Sequence, residues 1–474
     1  MKDQTNEESL DPVPGELPDT AGRPGAASAQ QVEKNGAAPV DSDALFRQVL
    51  DGANLNLAWK QVKANKGAPG VDGMTIDEFP AFARENWERI RSQLSEGTYH
   101  PAAVRRVFIP KPDGSQRPLG VPTVLDRVIQ QAIAQVLTPL YDGSFSNHSY
   151  GFRSGRNAHQ AVHEMGVAWK QKRRYAVDCD LKAFFDTVNH DRLMDQLRRK
   201  IGGGKLLRLI GRYLRAGVEL PDGSREDTPL GVPQGGPLSP LLANIVLDPL
   251  DKELERRGHS FARYADDFLI FVKSAKAAER VMGSVMDYVE KRLGLTVNRT
   301  KSKCGKLTDC TFLGFQISAR GKVKWSAKAF LRFKQRVREI TKRNRGQNVQ
   351  SVINELRRYA AGWMNYFGIS HTYAEVLDLD EWIRRRVRLY HWKQWQRPRA
   401  RRRNLIRLGI NPDEVYRASR SRKGYWRMSQ NSLVRFALNN RYLKERGVPE
   451  LRDIWIRLHY GDQPKPKGTG KLAI

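Results

Sequence analysis

The chain has 474 residues, 40% of them hydrophobic, which is enough for two or three domains with real cores. No run approaches the roughly 20 apolar residues of a membrane span, no basic-then-apolar leader opens the chain, and Cys179, Cys304 and Cys310 form no CxxC pair. These features argue against a membrane partner, a disulfide framework and a structural zinc site, and they favour the cytoplasm. The formal net charge of +31 is unevenly placed: residues 320–474 carry 38 Lys and Arg against 12 Asp and Glu, whereas residues 1–44 carry 3 against 9. Solubility does not need such asymmetry, and a polyanion partner does, because phosphate contacts release counterions and supply most non-specific affinity.

Residues 1–44 are rich in Pro, Gly, Ala, Ser and acids and read as a disordered acidic tail. "DALFRQVL" opens the first helix, with Ser42 or Asp43 as its N-cap. "KANKGAPGVDG" (63–73) is a loop, and "VRRVFIPKPDGSQRPLGVP" (104–122) reads as a hairpin turning at Pro-Asp-Gly. A periodic helix follows over 123–141, stopped by Pro139. "YAVDCDLKAFFDTV" (175–188) begins as a strand and bends into a helix. "GVPQGGPLSPLLANIVLDPLDKELERRG" (231–258) is a loop feeding a long helix, and the strand pair around "RYADDFLIF" (263–271) comes next. Another helix spans 278–295 and another strand 310–318. This alternation predicts an α+β layer with helices packed on one face of a sheet. From Trp325 onward the chain reads as mostly helical and basic, and it holds seven of the ten tryptophans.

Asp180 ends one apolar strand, and Asp266 and Asp267 interrupt another. Ionised groups are expensive there unless paired. In a regular strand neighbouring side chains face opposite ways, so only one of Asp266 and Asp267 would face Asp180; a tight hairpin would bring both. Carboxylates gathered from two strands repel unless hard cations lie between them, and oxygen-only ligation suits Mg²⁺. Two Mg²⁺ ions about 3.5–4 Å apart would activate a 3′-hydroxyl and stabilise the leaving pyrophosphate. The competing reading, two aspartates capping a turn, is the better one for a Tyr-X-Asp-Asp string standing alone. Two other strings are set aside. "IGGGK" (201–205) lacks the phosphate-loop spacing, and "HQAVHE" has Gln160 where a metalloprotease helix needs Glu, so His159 and His163 read as helix surface.

Taken in order, "VDCDLKAFFDTVNHDRL", "GVPQGGPLSPLLANIVLDPLD", "RYADDFLIF", "LGLTVNRTKS" and "FLGF" resemble the sequence blocks of reverse transcriptases. With "SYGFRSGRNAHQAV" and "LRRYAAGWMNYFGIS", the chain resembles a group II intron-encoded reverse transcriptase/maturase of the endonuclease-less type over roughly residues 45–460. The resemblance implies a right-hand polymerase of fingers, palm and thumb, with a helical, basic C-terminal region that binds RNA and DNA. The expected division is a tail over 1–44, an N-terminal extension and fingers over 45–165, and a palm with YADD over 166–320. A thumb/maturase region over 321–400 and a basic nucleic-acid-binding extension over 401–474 complete it.

By motif, Asp180, Asp266 and Asp267 would hold two Mg²⁺ ions, with the Leu181 carbonyl as a further ligand. Phe185 matches the steric gate that favours dNTPs over NTPs; core packing is the other reading of it. Gln234 and Gly235 would line the nucleotide and template, Lys111 and Arg117 would hold the triphosphate, and Lys301 would neutralise pyrophosphate, although Lys303 stands close by. The implied partners are the parent intron RNA, an RNA template with a DNA primer, target DNA and dNTPs. In "EWIRRRVRLYHWKQWQRPRARRR" (381–403), most tryptophans are expected in the core and most arginines on RNA. Two rival readings share this sequence: an intron-like polymerase domesticated for DNA repair or phage defence, and a splicing factor with a vestigial polymerase site.

Overall fold

The computed structural model describes residues 41–110, 114 and 116–461, so the expectations placed on the tail before residue 41, on Lys111 and on residues 462–474 fall outside it. The chain opens with α1 (Ser42–Val49), α2 (Gly52–Ala64) and α3 (Phe79–Glu96). Asp41 caps α1 by accepting the Asp43 N–H at 2.9 Å, so the cap precedes both expected residues: Ser42 is already helical and buried. A hairpin of β1 (Val104–Pro110) and β2 (Gln116–Val121) follows, close to the expected span.

Helix α4 (Val124–Asp142) runs through Pro139 rather than stopping there. Burial of Leu137 and Tyr141 in the core holds its last turn, and the missing proline N–H removes only one bond near a helix end. Helix α5 (Ala158–Lys170) starts with a reciprocal capping box between Asn157 and Gln160. Then come β3 (Tyr175–Cys179), the short α6 (Phe184–Thr187), α7 (His190–Ile201), α8 (Lys205–Leu214), and the small strands β4 (Val218–Glu219) and β5 (Arg225–Glu226). Helix α9 (Ser239–Arg256) leads to β6 (Ser260–Tyr264) and β7 (Asp267–Val272). After them α10 (Ala275–Asp287) widens into a π-helical turn over Tyr288–Leu293.

Strands β8 (Lys303–Lys306), β9 (Phe315–Ile317) and β10 (Val323–Trp325) complete the sheets. The central sheet has the order β6-β7-β3-β8, with Cys179 opposite Phe268 and Tyr264 opposite Asp267. It is covered on both faces, not one. Val177, Cys179, Phe261 and Ile270 join the core built with α4, α9 and α10. Ala176, Ala262, Leu269 and Phe271 face α5 and the segment around Phe312 and Phe315. The unbroken apolar run of β7 is the local sign of burial on both sides. Strand β8 carries the sequence KCGK, too polar and short to announce itself, and it lies at an edge. The stretch expected as a strand over 310–318 is broken by a turn at Leu313 and Gly314, with φ of 51° and 83°, so only Phe315–Ile317 pairs with β10.

The remaining helices are α11 (Ala327–Ile340), α12 (Val349–Phe367), α13 (Tyr373–Gln394), α14 (Pro398–Arg407), α15 (Pro412–Ser419), α16 (Tyr425–Met428), α17 (Ser432–Ala437), α18 (Asn440–Glu445) and α19 (Leu451–Tyr460). One apolar interior runs through them from Trp325 to Trp455, with Trp363 and Trp392 inside it. Most of these tryptophans are therefore core residues, and Trp426, 38% exposed, is the outlying one. Asp380 of α13 accepts the N–H groups of Leu451 and Arg452 at 2.8 and 2.9 Å and caps α19 from a distance, where Glu450 makes no side-chain cap. His159 is not plain helix surface: its Nε2 lies 2.7 Å from the Tyr366 carbonyl and ties α5 to α12.

His391 is buried between the rings of Trp395 and Tyr442. Burial, helped by the Arg446 guanidinium, pushes its imidazole from 6.5 down to about 4. The unfolded chain takes up this proton first as pH falls through 6.5, so the stability that neutral His391 contributes is lost on the acid side, between 6.5 and 4. Urea denaturation at pH 7 and pH 5 should show the wild type losing about 2 kcal/mol more than His391→Leu; equal losses would show that the imidazole protonates freely when folded.

Candidate active site

The carboxylates gather at one end of the central sheet. Asp180 follows β3 directly; its N–H donates to Ser302 Oγ at 3.0 Å and its carbonyl accepts from Asn298 N–H at 2.8 Å. Asp266 and Asp267 sit at the tight β6–β7 turn, in which Ala265 takes φ 57°. Strand register places Asp267 on the face of Asp180, and the turn brings Asp266 near them.

A fourth carboxylate, Asp178, belongs to this group and was not singled out by sequence. It lies opposite Leu269 on β7, on the same face as Asp267, and Lys303 Nζ stands 3.8 Å from it. Asp178 and Asp180 are two apart in "VDCD", and that spacing was the available signal. Their crowding is visible in the proton affinities. Although Asp267 opens to solvent, the protein around its carboxyl, then the charges of Asp178, Asp266 and Asp180, push it up to about 7. Asp266 is raised by burial and by Asp180, against the pull of Arg117 and Arg263. Asp178 is raised by burial, offset by Lys303.

An all-oxygen set short of positive charge has the chemistry of a hard divalent-cation site. Among the described residues, however, no three His, Cys, Asp or Glu side chains stand close enough to hold a metal ion as they lie. Leu181 has its side chain in the core and bridges Val297 as its strand partner.

Beside the carboxylates lies a cleft of about 460 Å³ lined by Arg117, Arg127, Phe152, Phe185, Gln234 and Gly235. Arg117 Nε donates to Gln234 Oε1 at 3.2 Å, and Gly120 N–H donates to the Gln234 carbonyl at 2.8 Å, so the hairpin and the "PQGG" loop close on each other. Phe185 is half-buried, edge-on to Phe184, and its carbonyl accepts from Val232 N–H. A second cleft of about 610 Å³, toward Phe108 and Leu230, also reaches Phe185. Phe152, 50% exposed with φ 60°, stands 6.5 Å from the Tyr264 ring and adds an aromatic wall that sequence reasoning did not identify. Lys301 lies apart, exposed on the turn after Asn298 and without an ion pair among the described residues, whereas Lys303 faces the carboxylates.

Comparison with known proteins places the chain in a family. The model of reverse transcriptases (RNA-dependent DNA polymerases) matches residues 109–317, and that of the group II intron maturase-specific domain matches residues 330–409. Protein YkfC of Escherichia coli K12 is 32% identical over 314 residues, covering 58% of this chain and 82% of YkfC. The group II intron-encoded protein LtrA of Lactococcus lactis subsp. cremoris is 36% identical over 237 residues, and the match spans 48% of this chain and 38% of LtrA. The putative COX1/OXI3 intron 1 protein of Saccharomyces cerevisiae is 27% identical over 319 residues, 56% of this chain and 38% of that protein. The chain belongs to the reverse transcriptase family, in the branch that carries a group II intron maturase-specific domain.

Gly235 holds φ 127°, and a Cβ there would lie 2.6 Å from the Gly120 carbonyl oxygen. Gly235→Ala is expected to part the loop from the hairpin and cost about 1–3 kcal/mol, read as a lower urea midpoint. A midpoint equal to wild type would show that the backbone yields elsewhere.

Proposed function

We propose that the protein is an RNA-directed DNA polymerase that copies intron RNA into cDNA and assists splicing and mobility of its parent group II intron as a maturase. The observation that supports this best is the crowding of Asp178, Asp180, Asp266 and Asp267 at one sheet end, beside a cleft walled by Arg117, Phe185 and Gln234. Two Mg²⁺ ions on Asp180, Asp266 and Asp267, with the Leu181 carbonyl, would supply the charge that activates a primer 3′-hydroxyl and stabilises the leaving pyrophosphate. Arg117 and Lys111 would grip the triphosphate, and Lys303 and Lys301 would offset charge on the departing pyrophosphate. Gln234 and Gly235 would position nucleotide and template by side chain and close backbone approach. Phe185 would lie against the sugar and exclude a 2′-hydroxyl.

The fingers, palm and thumb are read as residues 45–165, 166–320 and 321–400, with the basic extension beyond. The helical half offers arginines around aromatic rings, as where Arg385 stacks 3.6 Å from the Trp426 ring, a surface suited to RNA phosphates and unpaired bases. Among the described residues no helix is long and apolar enough to cross a membrane.

Primer extension on an RNA template with dNTPs and Mg²⁺ tests the reading. Full-length cDNA is expected from wild type and none from Asp266→Ala, with intron RNA binding nearly unchanged in both. No extension by wild type, with tight RNA binding retained, would favour a splicing factor with a vestigial site. Phe185→Ala should incorporate ribonucleotides more readily, and unchanged sugar discrimination would remove the gate role.

A further inference from the structure

Arg263 stands three residues before Asp266, and its side chain is wholly buried together with that of Asp251. A guanidinium has five N–H donors, and all five are used here. Nε donates to Asp251 Oδ1 at 2.8 Å, and Nη2 donates to Asp251 Oδ2 at 2.5 Å and to Ser149 Oγ at 2.8 Å. Nη1 divides between Asn244 Oδ1 at 3.0 Å and the backbone carbonyl of Ala265 at 2.9 Å.

A buried ion pair is weak evidence for stability, since apolar residues of the same volume often serve as well. The last contact gives this pair a different purpose. Ala265 holds a left-handed conformation that residues with a side chain rarely adopt, so its turn persists only where neighbours impose it. The neighbours are visible. Gly151 passes so close that a Cβ on it would collide with the Ala265 nitrogen, and Asn244 Nδ2 holds the Gly151 carbonyl at 2.9 Å. Arg263 N–H donates to the His148 carbonyl, and Tyr150 N–H donates to the Arg263 carbonyl, each at 2.9 Å. The turn is therefore clamped between the 148–151 segment and α9, with one guanidinium as the common anchor.

We infer that Arg263 is a positioning residue for nucleotide addition: through the Ala265 carbonyl it fixes the left-handed turn that aims Asp266 and Asp267 toward Asp180. It acts through the backbone of that turn and touches no reacting atom. The inference rests on the polymerase reading above. Lysine would keep the charge beside Asp251, but one ammonium cannot span Asp251, Ser149, Asn244 and the Ala265 carbonyl at once.

The test is single-turnover primer extension by the full chain on an RNA template with dNTPs and Mg²⁺. In Arg263→Lys the rate constant should fall about 100-fold, with dNTP KM and primer–template Kd within about twofold of wild type. Adding Ala265→Gly to that variant should recover about tenfold in rate, because glycine enters the left-handed region without penalty. A purely architectural arginine would lower only the amount of active protein, seen as burst amplitude at an unchanged rate constant, and the glycine would recover nothing. That pattern, or a wild-type rate in Arg263→Lys, overturns the inference. If Arg263→Lys does not fold, Ser149→Ala replaces it, since it removes one Nη2 acceptor and leaves both the ion pair and the Asn244–Gly151 bond. A slower rate at wild-type KM then supports the role, and a wild-type rate overturns it. Failure of the wild type itself to extend would instead strike the polymerase reading, and this inference with it.

Discussion

Four carboxylates sit at one end of a sheet that packs apolar residues on both faces, and much of the surrounding structure answers the repulsion among them. Left alone, so many like charges in a partly dry site would protonate or pry the strands apart. The chain meets them with cations set at different depths. Lys303 reaches Asp178 from the edge strand, Arg117 approaches Asp266 from the hairpin, and Arg263 lies beneath the turn. The deepest cation is spent on another carboxylate, Asp251, so the surface group keeps a deficit of positive charge. Asp267 is pushed up to about 7, first by the protein around its carboxyl and then by the neighbouring carboxylates that this deficit leaves unanswered.

The same economy shapes the cleft. Arg117 is at once a charge near Asp266 and the donor that latches the hairpin to Gln234. The Gly120–Gln234 backbone bond repeats the latch one layer down, and Gly235 is small enough to let the two chains meet. Phe185 belongs to both sides of this junction, its carbonyl tied to Val232 and its ring turned to the cleft. Binding and architecture are therefore carried by the same few side chains.

Sequence was most informative where a function is written into one contiguous stretch. The "YADD" turn, the loop before α9 and the hairpin are local objects, fixed by turn chemistry and short apolar runs. It was silent where the meaning depends on distant partners. Nothing near Arg263 says that Ser149, Asn244 and Asp251 will surround it. Nothing in KCGK announces an edge strand against β3. Pro139 read as a stop because the rule is local, whereas the burial of Leu137 and Tyr141 that overrides it is not. Covering helices were expected on one side because the strands were read singly. The run Phe268–Val272, apolar at every position, carried the opposite message for a reader who asked where both faces go. Asp178 is legible only through the two-residue period that it shares with Asp180 in "VDCD".

The shared interior from Trp325 to Trp455 bears on how such chains can be shuffled. The boundary near residue 400 lies in composition, not in packing, because Leu405, Val415, Val434 and Leu451 fill the same core as Phe333 and Leu356. Asp380 also holds the start of the last helix across that boundary. A graft that exchanged the chain after residue 400 between two relatives would have to rebuild both the seat of α19 on Asp380 and the apolar seam along α13. The unit of packing, and the one to exchange whole in engineering, is the helical half.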